Sequence, residues 1–216
     1  MILLQHIIDF LFPKYCIICG NSGSSLCTAC ISRLHKPDSS LFDDIDSAFH
    51  YKDKPAKKIL HSFKFKNNHS LAAVLARVLH DRMLDTLSER LILDNFTDPL
   101  LIPIPITKKK RRERGFNQTE LLCKELLKIN SGDGIKYNAK ILIKTKETKP
   151  QSLIKNRQLR MKNILGCFEV ADPELIKNRN IILIDDIVTT GATLREAKRV
   201  LKKAGARRVI AFAIAH

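Results

Sequence analysis

Apolar residues follow two rhythms along the chain. One is nearly unbroken: DPLLIPIPI (98–106), NIILIDDI (180–187) and RRVIAFAIAH (207–216) run through Ile, Leu, Val and Ala with few polar interruptions. Such runs predict strands buried on both faces. The other recurs every three or four residues. It predicts helices in PAKKILHSFKFK (55–66), HSLAAVLARVLHDRMLDTL (69–87), NQTELLCKELLKIN (117–130) and TLREAKRVLKKAG (193–205). Pro55 suits a first helical turn and Gly205 a helix end. SAFHYK (47–52) is a further candidate strand. Strands alternating with helices predict an α/β domain built on a parallel sheet over residues 45–216.

The start of the chain is different. MILLQHIIDFLF carries Leu3, Leu4, Ile7, Ile8 and Leu11 at helical spacing, interrupted by His6 and Asp9. A span needs ~20 apolar residues, so this run predicts a short amphipathic helix on the protein's own body and no membrane span. It also lacks the basic start and small-residue cleavage site of a signal peptide. A cytoplasmic location and reduced thiols are therefore expected. HKPDSSLFDD (35–44) reads as a linker, which sets residues 1–40 apart as a small module.

Cysteine spacing gives that module a chemistry. Cys16, Cys19, Cys27 and Cys30 sit in CIICGNSGSSLCTAC, two C-x2-C pairs close together. Two residues between thiolates let both face one ion, and Gly20 and Gly23 free the backbone for the turn. Four thiolates complete a tetrahedral, structural zinc site. Two disulfides or one redox pair are the competing readings; a reducing compartment and the closeness of the pairs favour metal. His35 stands near enough in sequence to replace a thiolate, though a surface histidine is the simpler reading. Cys123 and Cys167 read as small buried residues.

Composition and charge then narrow the class. Of 216 residues, 44% are hydrophobic, which excludes wholesale disorder. Lys and Arg number 38 against 22 Asp and Glu, a net charge of +16. Such a balance points to a polyanionic partner or an anionic substrate. Basic residues concentrate in KKKRRER (108–114) and in 144–162, read as basic loops.

Within this basic chain, IILIDDIVTTGAT (181–193) puts two carboxylates at the end of a strand. The turn that follows leads into a helix at the carboxyl edge of the sheet, where ligands of open α/β sheets bind. Thr189, Thr190, Gly191, Ala192 and Thr193 offer backbone N–H groups and hydroxyls at a helix start, a cradle for phosphate. Asp185 and Asp186 oppose that charge unless they accept hydrogen bonds from a sugar diol. Diol plus phosphate on one ligand indicates ribose 5-phosphate. No Walker motif occurs in the chain.

These residues resemble the signature that binds phosphoribosyl pyrophosphate (PRPP) in type I phosphoribosyltransferases. IPIPITKKKRRERGFNQTELL, LFPKYCIICG…LCTAC, ILHSFKFKNN and TKPQSLIKNRQLRMKNILGCFEV are similar, in order, to segments of the ComF/GntX family. That family comprises competence-related phosphoribosyltransferase-like proteins with an N-terminal zinc ribbon. The basic run at 108–112 is denser here, and the Gln151–Asn163 spacing longer, than the family pattern. The resemblance implies a type I phosphoribosyltransferase-like parallel sheet flanked by helices. It implies that Asp185 and Asp186 hold the ribose hydroxyls, residues 189–193 the 5′-phosphate, and Arg114 the diphosphate with Mg²⁺. It also implies a mobile loop over 144–162.

Three functions follow as expectations. One is a phosphoribosyltransferase, of nucleotide salvage or another pathway, displacing diphosphate from PRPP. Another is a non-catalytic PRPP- or nucleotide-sensing module. The third is a binder of single-stranded DNA or of competence machinery, with Lys108, Lys109, Lys110, Arg111 and Arg112 on strand phosphates. The acceptor substrate has no signature in the sequence.

Overall fold

A computed structural model describes residues 13–37, 44–65, 69–130, 134–148 and 156–216. The expected N-terminal helix over 1–12 lies outside the described residues. So do parts of the 35–44 linker and of the 144–162 segment.

Five strands form one parallel sheet: β1 (Ile45–Phe49), β2 (Leu100–Pro103), β3 (Lys136–Tyr137), β6 (Asn180–Ile187) and β7 (Arg208–Ala215). They lie in the order β1-β7-β6-β2-β3, every pair parallel. A separate antiparallel pair joins β4 (Leu142–Lys144) to β5 (Phe168–Val170). The long apolar runs occupy the middle of the sheet, because only there are both faces covered.

The two faces carry different helices. α2 (Lys54–Phe65), α3 (His69–Asp94) and α5 (Gln118–Ile129) cover one. Their Phe63, Leu75 and Leu122 share an apolar cluster with Ile182, Ile184 and Phe212 of the sheet. α7 (Ala192–Lys203) covers the other with α6 (Arg157–Ile164) and the β4–β5 pair. There Leu194, Ile164 and Phe168 pack with Ile181, Leu183 and Ala211. The alternation of β6 between these clusters later decides where its two aspartates point.

Three elements depart from the sequence reading. β2 is shorter than the predicted 98–106, since Pro103 and Pro105 cannot donate to a ladder. Ile104 N still donates to Ile184 O at 2.9 Å. α3 runs past the predicted 87 to Asp94, supported by the Arg90–Asp94 pair at 3.0 Å and ended by Asn95 at φ 48. The third departure is the basic run, expected as a loop. It is a helix, α4 (Lys108–Arg114), capped at its start by the Thr107 hydroxyl, which accepts from Lys110 N (3.3 Å), and closed by Gly115 at φ 79.

The cysteine segment contains α1 (Thr28–Ile31). It does not stand clear of the sheet domain. Cys16, Leu26, Cys30 and Leu34 are buried in the same cluster as Ile59, Leu60 and Phe63 of α2 and Leu71 of α3. The Ser25 and Ser70 hydroxyls hydrogen-bond across that junction. Among the described residues no helix is long and apolar enough to cross a membrane.

Candidate functional site

β6 ends at the carboxyl edge of the sheet, and the chain turns through Val188–Gly191 into α7. Gly191 takes φ 72, a left-handed conformation that glycine adopts without strain. It occupies the cap position of α7 with no side-chain hydrogen bond. Thr190 Oγ1 accepts from Ala192 N at 3.4 Å, drawing the turn tight. The first amides of α7 thus point outward at the positive end of the helix, an arrangement that favours anions.

A cavity of about 460 Å³ opens over this turn. Asp185, Asp186 and residues 189–193 border it on the β6–α7 side. Ile104, Pro105 and Ile106 border it beyond β2, and α4 lends Lys110 and Arg114. Those two are four residues apart and so share one face of the helix. Lys64 of α2, Lys144 of β4 and Arg160 of α6 complete a ring of five cations around the aspartates. Burial, and then the neighbouring Lys144 and Arg114, lowers the Lys110 pKa below the ordinary lysine value. A wall so positive suits a ligand carrying more than one phosphate.

The two aspartates are not equivalent. Asp186 is 4% exposed; its Oδ1 pairs with Lys64 Nζ at 3.0 Å and its Oδ2 accepts from Gln118 Nε2 at 2.5 Å. Asp185 borders the cavity with its Oδ1 accepting from Asp186 N at 2.8 Å. Burial, and then the charge of Asp186, pushes the Asp185 pKa up to about 7.

The five nucleic-acid candidates separate. Lys110 faces the cavity. Arg111 turns back to α5, where its two terminal nitrogens donate to the Glu120 carboxylate at 2.6 and 3.0 Å. Lys108, Lys109 and Arg112 are exposed. The expected basic loop is thus a helix whose basic residues have three different surroundings. Sequence reasoning missed Lys64 and Tyr51 as cavity residues, whereas Lys144 and Arg160 come from the basic segment 144–162 expected over the site. Asn117 caps α5, accepting from Thr119 N at 3.2 Å. The KFK of ILHSFKFKNN was the signal for Lys64.

The four N-terminal cysteines come together. Their sulfurs all lie within 4.8 Å of one another, with Cys19 and Cys27 at 3.8 Å. Zn–S bonds of about 2.3 Å in a tetrahedron require sulfurs about 3.8 Å apart, so the cluster fits zinc. Gly20 and Gly23, at φ 79 and 107, make the turns. His35 is engaged elsewhere, its Nδ1 2.9 Å from Asp53. Cys123 and Cys167 are buried, and burial raises both thiols above their usual range.

A parallel sheet with this strand–turn–helix at its carboxyl edge has the form of a phosphoribosyltransferase, and residues 134–216 match the phosphoribosyl transferase domain family. The chain is 32% identical over 193 residues to competence protein ComFC of Bacillus subtilis, covering 88% of this chain and 72% of that protein. It is 28% identical over 209 residues to competence protein F of Haemophilus influenzae, covering 94% and 85%. DNA utilization protein YhgH of Escherichia coli K12 is 28% identical over 155 residues. That match takes in 72% of this chain and spans 64% of the YhgH protein's length. The chain belongs to the ComF-like family, with a phosphoribosyltransferase domain and a four-cysteine cluster before it.

Proposed function

We propose that the cavity binds PRPP and that the chain serves competence or DNA utilization, the roles named for its relatives. The reading rests on one juxtaposition: an anion-binding helix start, a carboxylate and paired cations around a single cavity. The amides and hydroxyls of residues 189–193 hold the 5′-phosphate. Asp185, which borders the cavity, accepts from the ribose hydroxyls. Arg114 and Lys110 face the diphosphate, Arg114 with its planar fork.

Mg²⁺ takes oxygen ligands, and the carboxylates bordering the cavity, Asp185 and Asp186, would supply them. When bound, the ion neutralises charge on the leaving diphosphate. The protein's own part is to orient C1′ and exclude water while an acceptor displaces diphosphate. Zinc fills the Cys16–Cys19–Cys27–Cys30 cluster as a structural ion, in a cytoplasmic setting that keeps the thiols reduced. Residues 1–40 form the metal-binding module and 45–216 the phosphoribosyltransferase-like domain.

The deciding experiment is titration of PRPP with Mg²⁺ into the protein, followed by incubation with candidate bases and amines while diphosphate release is monitored. Binding with turnover makes the protein a transferase; binding without turnover makes it a PRPP-sensing module. No binding removes the reading.

A second reading is favoured by exposed Lys108, Lys109 and Arg112, on the helix that lends Lys110 and Arg114 to the cavity. These three suit the phosphates of single-stranded DNA, alone or with competence machinery.

A further inference from the structure

Helix α2 has two faces of opposite character. Ile59, Leu60 and Phe63 are buried in the core. Lys54, Lys58, His61 and Phe65 follow at intervals of four, three and four residues, so they share the outer face, and all four are exposed. Phe63 is fully buried, whereas Phe65, two residues on, is 60% exposed. A single exposed apolar side chain needs no explanation. Phe65 is not single. Its ring centroid lies 4.9 Å from that of His61, one turn back on the same face. The Arg114 guanidinium of α4 lies 5.3 Å from the ring centroid.

The surroundings of these rings are cationic. No Asp or Glu occurs from Lys54 to Phe65. α4 exposes Lys108, Lys109 and Arg112, and the basic faces of the two helices meet where Arg114 lies over Phe65. The α2 stripe alone is about 16 Å long. Phe65 does not line the cavity, so its ring is free of the ribose-phosphate site. Cations in a row suit successive phosphates, and ring faces beside them suit unpaired bases, the combination that holds a single strand. A duplex keeps its base faces covered and could offer such a surface its phosphates only.

We propose that the outer face of α2 is a binding surface for single-stranded DNA, with bases stacked on Phe65 and His61 and phosphates on Lys54 and Lys58. The inference rests on the strand-binding reading of α4 and extends it. α4 contributes charge, which any polyanion satisfies; α2 adds ring faces, which only a strand with unpaired bases satisfies. The strand therefore runs along both helices and bends past the mouth of the cavity at Arg114.

An abasic strand separates the two contributions, because it keeps the phosphates and lacks the bases. Oligo-dT and an abasic strand of the same length are titrated by fluorescence anisotropy into wild type, Phe65→Leu, His61→Ala and the pair Lys54→Ala with Lys58→Ala, at several salt concentrations. Unfolding temperatures are recorded alongside. Wild type should bind oligo-dT roughly tenfold or more tightly than the abasic strand. Phe65→Leu should bring the two within about threefold of each other and leave the abasic affinity and its salt slope as they were. The lysine pair should flatten the slope by about 0.7 for each phosphate released. Equal affinity of wild type for the two strands overturns the stacking surface while the charge reading of α4 stands. So does base preference that survives in Phe65→Leu. Equal weakening of both strands in Phe65→Leu, with a lowered unfolding temperature, makes the ring structural and overturns the proposal. If Phe65→Leu does not fold, His61→Ala decides on the same criteria. An unchanged slope in the lysine pair takes the phosphates off α2 and overturns the proposal as stated. A wild type that binds neither strand at low salt overturns the α4 reading and this inference together.

Discussion

A carboxyl group pressed against a second carboxylate keeps its proton to higher pH than it would in water. Asp185 illustrates this, with burial and the Asp186 charge raising its pKa from 3.8 to about 7. Its protonated form is therefore favoured by folding. The contribution to stability is complete below the unfolded value and fades as pH rises through about 7. Ligand binding runs the other way, because only the carboxylate accepts from a diol by both oxygens. Ribose 5-phosphate affinity should rise between about pH 6 and pH 8, and Asp185→Asn should flatten that rise. The same variant reports separately any contribution from the ligand's own phosphate, which titrates near 6. Calorimetric titration at three pH values checks this; an unflattened profile would remove Asp185 from the sugar site. The acid pair was legible in sequence because its chemistry is local. The partner of Asp186 was not, since Gln118 sits 68 residues away and only the fold brings the two together.

At the scale of elements, KKKRRER shows why charge runs mislead. Like charges at helical spacing repel, which favours reading a loop. Lys and Arg are nonetheless good helix formers, and the ends decide: Thr107 caps one and Gly115 turns left-handed at the other. Arg111 relieves part of the repulsion by pairing with Glu120. Nothing lies within 4 Å of where a Cβ on Gly115 would stand, so the cost of Gly115→Ala is the backbone's alone. We expect a loss of about 1 kcal/mol in urea unfolding. Because α4 aims Lys110 and Arg114, PRPP affinity should fall as well. α7 and the turn before it were readable in advance, since hydrophobic run, turn and helix follow one another in the chain. β3, β4, β5 and α6 were not, being short and set by their partners rather than by a period of their own.

At the scale of the molecule, the cysteine cluster and the sheet domain share one apolar cluster. Metal loss should therefore be felt beyond the knuckle. We expect one zinc per chain by elemental analysis, and Cys19→Ser to lower both the zinc content and the unfolding temperature of the whole chain. A metal-free protein with undiminished stability would contradict this. The net charge of +16 reads out through salt. If exposed Lys108, Lys109 and Arg112 each neutralise a strand phosphate, replacing all three by Ala should flatten the salt dependence of single-stranded DNA binding by about two units, at about 0.7 per phosphate. PRPP affinity should hold, since Lys110 and Arg114 remain. Helix α2 ties these parts together: Ile59, Leu60 and Phe63 lie in the cluster that receives Cys16 and Cys30, and its tip carries Lys64 to the cavity and Phe65 against Arg114. One residue inserted between the two would turn the tip by about 100° and advance it about 1.5 Å. Lys64 would then swing away from Asp186. The segment 54–65 can change its residues over evolutionary time far more readily than its length, and gaps among relatives should fall on either side of it.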